Sequence, residues 1–343
     1  MSERKLKTAV LGLDDRGLLL LEAAGGLDYY QIQAVADNDT KLTETTAEQY
    51  QCAGYDDYRQ LIIQNQFDCL LVAAGMHSCA EYVRTAMKKQ CNILKIAPPA
   101  RDFEQARKFV RLAEDQKIKF AVANTGRFAR SYLDLQRFLQ AKPSERVFLI
   151  TAFCALGDSV PPAWQTDQKL SGGGILLRDC YEVLDQMILN FGVPEQIYSL
   201  NTNAAGNRQQ RQYLTEDTVV VTMKFTDTFF GNLIASRYAG TGPQQYCVKV
   251  YTRDRILTVS RNRFTASDVS GQTTDSEYDD DQLSCMRKVL ENFALSIISH
   301  DKNKLSSSAE ENLRHMAVID SAYLSARTGF PEEPGRILKM TSR

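Results

Sequence analysis

The sequence predicts a two-domain α/β chain: an N-terminal doubly wound parallel sheet over residues 1–124, then an α/β domain over residues 125–343 built on a mostly antiparallel sheet. Three observations carry this prediction. The first third of the chain alternates short apolar runs with stretches of helical length, the order of βαβ units. Beyond Glu216 strict alternation takes over, as in Val219, Val221, Met223 and Phe225, the mark of a sheet with one buried face. A length of 343 residues, 43% apolar and 24% charged, suffices for two separate cores in an ordinary globular protein.

Taken in order, Thr8–Leu13 is the first strand and Leu18–Ala24 the first helix. Ile32–Ala36 is the second strand, closed by Asp37. Tyr58–Gln64, Ala80–Lys89 and Phe103–Asp115 read as helices, Phe67–Ala73, Ile93–Ile96 and Phe120–Ala123 as buried strands, and the domain closes near Asn124. In the second part Arg146–Phe153 alternates as a strand. Ser171-Gly172-Gly173-Gly174 opens a helix that runs through Leu189 and stops at Gly192 and Pro194. Arg178 and Glu182 lie four residues apart on one face of that helix. Val219–Phe225, Gly231–Ala239 and Cys247–Ser260 are strands, and Asp279-Asp280-Asp281 is a solvated loop. Leu283–Ile298 and Ser307–Thr328 are helices. The second has a capping-box pattern (Ser307 with Glu310, or Ser308 with Glu311) and ends at Gly329 and Pro331.

Charge and cysteine usage exclude several classes. A net charge of −1 offers no basic face for nucleic acid or an anionic membrane. The apolar run Leu18–Leu21 is too short for a signal-peptide core or a membrane span, so a cytoplasmic protein is expected. The eight cysteines (52, 69, 79, 91, 154, 180, 247 and 285) include no C-x-x-C pair and read as reduced, packed thiols. His77, His300 and His315 are far apart in sequence, and no Cys/His spacing supports a metal site.

The order strand, Gly-rich turn, helix, strand, acidic residue through Asp37 is that of a dinucleotide-binding βαβ unit. Gly12 and Gly17 supply bare backbone. Asp37, 20 residues after Gly17, is placed to accept the ribose hydroxyls of NAD. No arginine follows it closely, which favours NAD over NADP. Asp14 stands where the pattern wants its middle glycine. A carboxylate about 4 Å from a phosphate is repelled by roughly 4 kcal/mol at an effective dielectric near 20. Rotation toward solvent or toward Arg16 relieves this, and Arg16 could itself pair with a phosphate. Two readings of the turn stand: it holds the dinucleotide, or it has lost it.

Further segments resemble the glucose–fructose oxidoreductase / inositol dehydrogenase family (Gfo/Idh/MocA), NAD(P)-dependent enzymes acting on sugars and cyclitols. Asn92-Ile93-Leu94-Lys95-Ile96-Ala97-Pro98-Pro99 is similar to its H-V-L-x-E-K-P segment, and Ala74-Gly75 stands at its T-P step. Asn124-Thr125-Gly126-Arg127-Phe128 resembles its N-x-x-R-F step, Trp164 with Gly172-Gly173-Gly174 its tryptophan-then-GGG segment, and Ser325–Gly329 its closing S-x-x-T/S-G. The resemblance runs over nearly the whole chain. It implies a Rossmann fold for the first domain and a large open sheet in the second that pairs with another subunit. It places the cofactor against Gly12, Asp14, Arg16, Gly17, Asp37, Ala74 and Arg127, and the substrate between the domains.

The resemblance also implies which chemistry is missing. The family's lysine, which bridges nicotinamide and substrate, falls on Ala97; its Asp and its proton-relaying His fall on Arg178 and Glu182. Alanine neither donates a proton nor holds positive charge near a developing alkoxide. Lys95 lies on the same strand face as Ala97, about 6.5 Å further back. It either reaches the site or snorkels to the surface. Arg178 and Glu182 either pair with each other, worth about 0.3–0.5 kcal/mol if exposed, or act on a ligand. In the latter case Arg178 binds a carboxylate or phosphate, and Glu182 or Tyr181 is a displaced acid–base group. The expected function is a divergent NAD(P)-dependent oxidoreductase-like protein with ordinary sugar or polyol dehydrogenation lost or strongly altered. The alternative is a non-catalytic sensor or assembly subunit. Expected partners are a small sugar-like or anionic ligand and further copies of the chain.

Overall fold

The structure is a computed structural model that describes residues 5–141, 146–157, 161–204, 207–237, 245–299 and 303–339. The end of the expected strand at Ala239, and His300, lie outside the described residues. The chain divides into two compact units, residues 1–125 with 281–312, and residues 126–280 with 313–343.

The first unit alternates strand and helix: β1 (Leu6–Leu11), α1 (Asp15–Gly25), β2 (Tyr30–Ala36), α2 (Thr40–Tyr50), β3 (Ala53–Tyr55), α3 (Tyr58–Gln64), β4 (Cys69–Val72), α4 (Met76–Lys88), β5 (Asn92–Ile96), α5 (Phe103–Asp115) and β6 (Phe120–Ala123). All its strand pairs are parallel, in the order β3-β2-β1-β4-β5-β6. This is a Rossmann sheet whose order reverses between β1 and β4. Ala9, Val10, Leu11, Leu70, Leu71 and Val72 are fully buried, because helices cover both faces of such a sheet. Helix α2 escapes a sequence reading since the residues it buries are Thr43, Thr46 and Ala47, which make no apolar stripe.

The second unit contains α6 (Arg130–Ala141), β7 (Val147–Ala155), four helical segments α7 (Ala163–Thr166), α8 (Gln168–Ser171), α9 (Ile175–Arg178) and α10 (Tyr181–Phe191), then β8 (Gln196–Thr202) and α11 (Arg208–Tyr213). β9 (Thr218–Thr226), β10 (Phe229–Ser236), β11 (Gln245–Thr252), β12 (Arg255–Ser260), β13 (Arg263–Asp268) and β14 (Thr273–Glu277) follow. They form one eight-stranded sheet, β14-β13-β12-β11-β7-β10-β9-β8, in which the β7–β10 pair is parallel and the other pairs antiparallel. One face packs on helices such as α6 and α9; the other is open. The chain ends in α12 (Gln282–Ile298), α13 (Ala309–Thr328) and α14 (Pro334–Lys339).

Four features differ from the sequence reading. The segment Cys247–Ser260 is a hairpin, β11 and β12, rather than one strand. The segment at Asp279–Asp281 is not simply solvated: Asp280 is buried and accepts from Arg130 N at 2.6 Å and Nε at 2.9 Å. Helix α12 packs against α1, so residues 281–312 belong with the first unit. The helix after the glycines is broken into α9 and α10: the Ile175 carbonyl accepts from both Asp179 N (3.0 Å) and Cys180 N (2.9 Å), a widened turn. Among the described residues no helix is long and apolar enough to cross a membrane.

Candidate active site

In the first unit the site is the loop edge at the switch point between β1 and β4, where ligands of open α/β sheets bind. Gly12 has φ +91°, and a Cβ on it would lie 2.4 Å from Ala74 N; a Cβ on Gly17 would lie 1.9 Å from Gly12 O. Both glycines, and the buried Ala74, are therefore fixed by the closeness of the turn to β4. Asp37 is oriented by Leu13 N on Oδ2 (2.7 Å) and Asp39 N on Oδ1 (3.0 Å). A carboxylate has about four acceptor positions, so room remains for two ribose hydroxyls. Asp14 is exposed at the start of α1. It caps α1, its Oδ1 accepting from Gly17 N at 3.0 Å. The helix N-terminus, the usual seat of a pyrophosphate, thus already holds an anion. Arg16 reaches Ala97 O at 3.4 Å. The residues fit a dinucleotide at Gly12, Gly17 and Asp37 and oppose it at Asp14.

Lys95 does not snorkel. It sits in β5 between Val72 of β4 and Val122 of β6, only 4% exposed, with Nζ donating to Ile96 O at 3.0 Å. Burial lowers its pKa to about 8; Cys79 and Asp14 act against that and Arg16 adds to it.

In the second unit the glycine run is held from below. Glu216 is buried, and its carboxylate accepts from Gly174 N (2.9 Å), Leu176 N (3.0 Å) and Tyr323 Oη (2.8 Å). It therefore caps α9. A Cβ on Gly173 would meet Tyr323 Oη at 2.2 Å and one on Gly174 would meet Glu216 O at 2.0 Å, so only glycine fits. Arg178, at the end of α9, is buried with its guanidinium 5.8 Å from the Trp164 ring centroid. Asp179 takes an ion pair from Arg237 at 2.9 Å. The half-buried Glu182 lies against Gly126, where an added Cβ would be 2.6 Å from its Oε1. It also lines a cavity of about 40 Å³ with Tyr132, Asp179, Val183, Tyr246 and Arg261. Burial raises the Tyr132 and Tyr246 phenols, and the Glu182 charge adds to both shifts.

Two expected site residues lie elsewhere. Tyr181 is fully buried, stacked on His315 at 5.6 Å between centroids. Burial, with Asp185 adding, raises its phenol well above 10.0, so it is a core residue rather than an acid–base group. Arg127 directs Nη2 (2.6 Å) and Nε (2.9 Å) at the buried Asp185, whose Oδ1 also lies 2.8 Å from His315 Nε2. Burial works to raise the Asp185 carboxyl, but His315 and Arg127 outweigh it and hold it at about 2. Asp185 was legible in principle: a lone carboxylate among Val183, Leu184, Met187 and Ile188 requires a buried partner. Glu216, Arg237, Tyr246 and Arg261 carry no such local mark, because long-range pairing alone brings them to α9 and α10. Among the described residues no cluster of His, Cys, Asp and Glu could hold a metal.

The sequence matches no curated protein. Two family models match it: "Oxidoreductase family, NAD-binding Rossmann fold" over residues 6–124, and "Oxidoreductase family, C-terminal alpha/beta domain" over residues 146–331. Among solved structures, an oxidoreductase from Agrobacterium radiobacter in complex with NAD+, L-tartaric acid and magnesium is 17% identical. It covers 97% of this chain and 100% of its own, with a TM-score of 0.84. Levoglucosan dehydrogenase in complex with NADH is 14% identical, covering 96% and 99%, with a TM-score of 0.85. A putative myo-inositol dehydrogenase from Sinorhizobium meliloti 1021 is 18% identical, covering 96% and 99%, with a TM-score of 0.78. At such identities the likeness establishes the fold; the two domain matches establish the family. The chain belongs to the Gfo/Idh/MocA family of NAD-dependent oxidoreductases.

Proposed function

We propose that this chain is an NAD-linked oxidoreductase with a rebuilt reaction centre, its ordinary sugar or polyol dehydrogenation lost or strongly altered. The observation that carries this reading is the replacement of all three acid–base positions, by Ala97, the buried Arg178 and Glu182. One positioned acid–base group contributes roughly 10²–10⁴-fold to a rate. When bound, NAD accepts a hydride; the chain's own part is to hold and to move protons. Gly12 and Gly17 admit the pyrophosphate and Asp37 holds the ribose. Glu182 is the acid–base group, supported by its place in the cavity with Tyr132, Tyr246 and Arg261. Lys95 adds positive charge at the end of β5, and Arg178 adds it at the end of α9. The complexes of solved relatives with L-tartaric acid and with levoglucosan support a small polyhydroxylated or anionic substrate. Eight free cysteines support a reducing, cytoplasmic setting, and the open sheet face supports a homo-oligomer.

The second reading is a non-catalytic sensor or assembly subunit, and the Asp14 cap on α1 favours it. Calorimetric titration with NAD, NADH and NADPH separates the two. Micromolar binding of NAD supports the enzyme, and Glu182→Gln then lowers turnover of whatever substrate is found by about 10²-fold or more. Absence of binding at millimolar cofactor removes the redox reading.

A further inference from the structure

The second unit has another cavity, of about 570 Å³, which shares no residue with the Glu182 cavity. That volume is within the range of roughly 300–1,000 Å³ usual for small-molecule sites. Its walls come from four elements: Asn201 on the edge strand β8, Arg211 and Gln212 on α11, Gln168 on α8, and Arg327 near the end of α13. Its floor is rigid. Glu216 and Tyr323 reach it, and they are locked to each other and to the backbone of α9. Thr215, beside them, is tied to Gln165 O at 3.1 Å.

The chemistry of the lining is unusual for a ligand pocket, since Leu214 is its one aliphatic side chain. Carboxamides both donate and accept, as sugar hydroxyls do. The lining carries two guanidiniums, Arg211 and Arg327, and one carboxylate, Glu216, which already accepts three hydrogen bonds. Guanidinium groups bind carboxylate and phosphate in a planar, bidentate manner. We propose that this cavity is a binding site for a small polyhydroxylated anion, a sugar acid or a sugar phosphate. Because its floor caps α9, a bound ligand rests on the segment that leads into Arg178 and Glu182.

The test is calorimetric titration of the full chain with gluconate, glucose 6-phosphate, glucose and inorganic phosphate. One of the two anionic sugars binds 1:1 at about 1 mM or tighter, and glucose and phosphate bind at least about tenfold more weakly. Which of the two anionic sugars binds tells a carboxylate ligand from a phosphate one. Arg327→Ala weakens binding about tenfold or more, Arg327→Lys weakens it less, and Glu182→Gln leaves it unchanged. Gln212→Ala, at an exposed lining position, gives a second loss should Arg327→Ala fail to fold. Absence of binding by both anionic sugars at about 10 mM overturns the proposal. So does affinity that responds to Glu182→Gln and not to Arg327→Ala. None of these readouts requires NAD binding or turnover, so they stand apart from the oxidoreductase reading.

Discussion

At the scale of single residues, Lys95 is a buried cation whose charge is costly to hold in the fold. A lysine with an ordinary value of 10.5 is held at about 8 in the folded chain, chiefly by burial. At about 1.4 kcal/mol per tenfold, that gap corresponds to roughly 3 kcal/mol of destabilisation wherever both states are charged, below about pH 8. Between pH 8 and 10.5 the unfolded chain binds more protons than the folded one. The Lys95 contribution therefore improves as pH rises through that window. Lys95→Met is expected to raise stability at pH 7 by about 1–3 kcal/mol, and the gap to the parent is expected to shrink by pH 10. Denaturant titrations at the two pH values measure both; a less stable mutant at pH 7 rules the account out. The sequence showed the parity that puts Lys95 on the face of Ala97, but not its burial. Burial follows from the parallel neighbours Val72 and Val122, which lie about 20 or more residues away in sequence. The same holds for Arg127. Its segment was recognisable, while its commitment to Asp185, 58 residues on, was not.

At the scale of elements, the glycine run and its helix show where local pattern ends and tertiary pairing begins. Periodicity from Ile175 to Leu189 is that of one helix, and the apolar face it implies is buried, from Leu176 and Leu177 through Met187. The break lies at Asp179 and Cys180, where Arg237 holds the Asp179 carboxylate and the Ile175 carbonyl serves two donors. No local propensity encodes that ion pair, so the regular i, i+4 relation of Arg178 and Glu182 could not have been corrected from sequence. The glycines themselves resemble the family's tryptophan-then-GGG segment, and a Cβ on Gly173 or Gly174 is excluded by Tyr323 and Glu216. Gly174→Ala brings a methyl to 2.0 Å from a backbone oxygen, which cannot move without dislodging the cap on α9. The expected cost is about 3 kcal/mol or more, read as a fall in Tm of roughly 6 °C or more. A variant with Tm unchanged would show that the Glu216 segment can give way.

At the scale of the whole molecule, the open face of the eight-stranded sheet is the surface proposed to take a second copy of the chain. Strand register places Leu200, Val220, Ile234, Phe153 and Cys247 in one row across β8, β9, β10, β7 and β11. A second row runs Phe230, Leu149, Tyr251, Ile256 across β10, β7, β11 and β12. Between them lies a polar row: Thr222, Asn232, Thr151, Lys249 and Thr258. Leu200, Val220, Ile234, Phe153, Phe230 and Ile256 are each more than a third exposed. With strands about 4.8 Å apart, the first row spans roughly 19 Å across the sheet. A striped face of this kind is complementary to itself when rotated by a two-fold axis, which aligns apolar rows with apolar rows. The occupant we propose for it is a second copy of this chain. The alternation in β9 made one strand of this face legible in the sequence. The rows were not, since they depend on register between strands far apart in the chain, such as Phe153 of β7 with Ile234 of β10 and Cys247 of β11. Light scattering on the purified chain is expected to give twice the chain mass. Ile234→Asp, in the centre of the first row and pointing away from the core, is expected to give a monomer with Tm lowered by no more than the loss of the interface. A parent chain that is monomeric at about 10 µM leaves the face without a partner and removes the dimer.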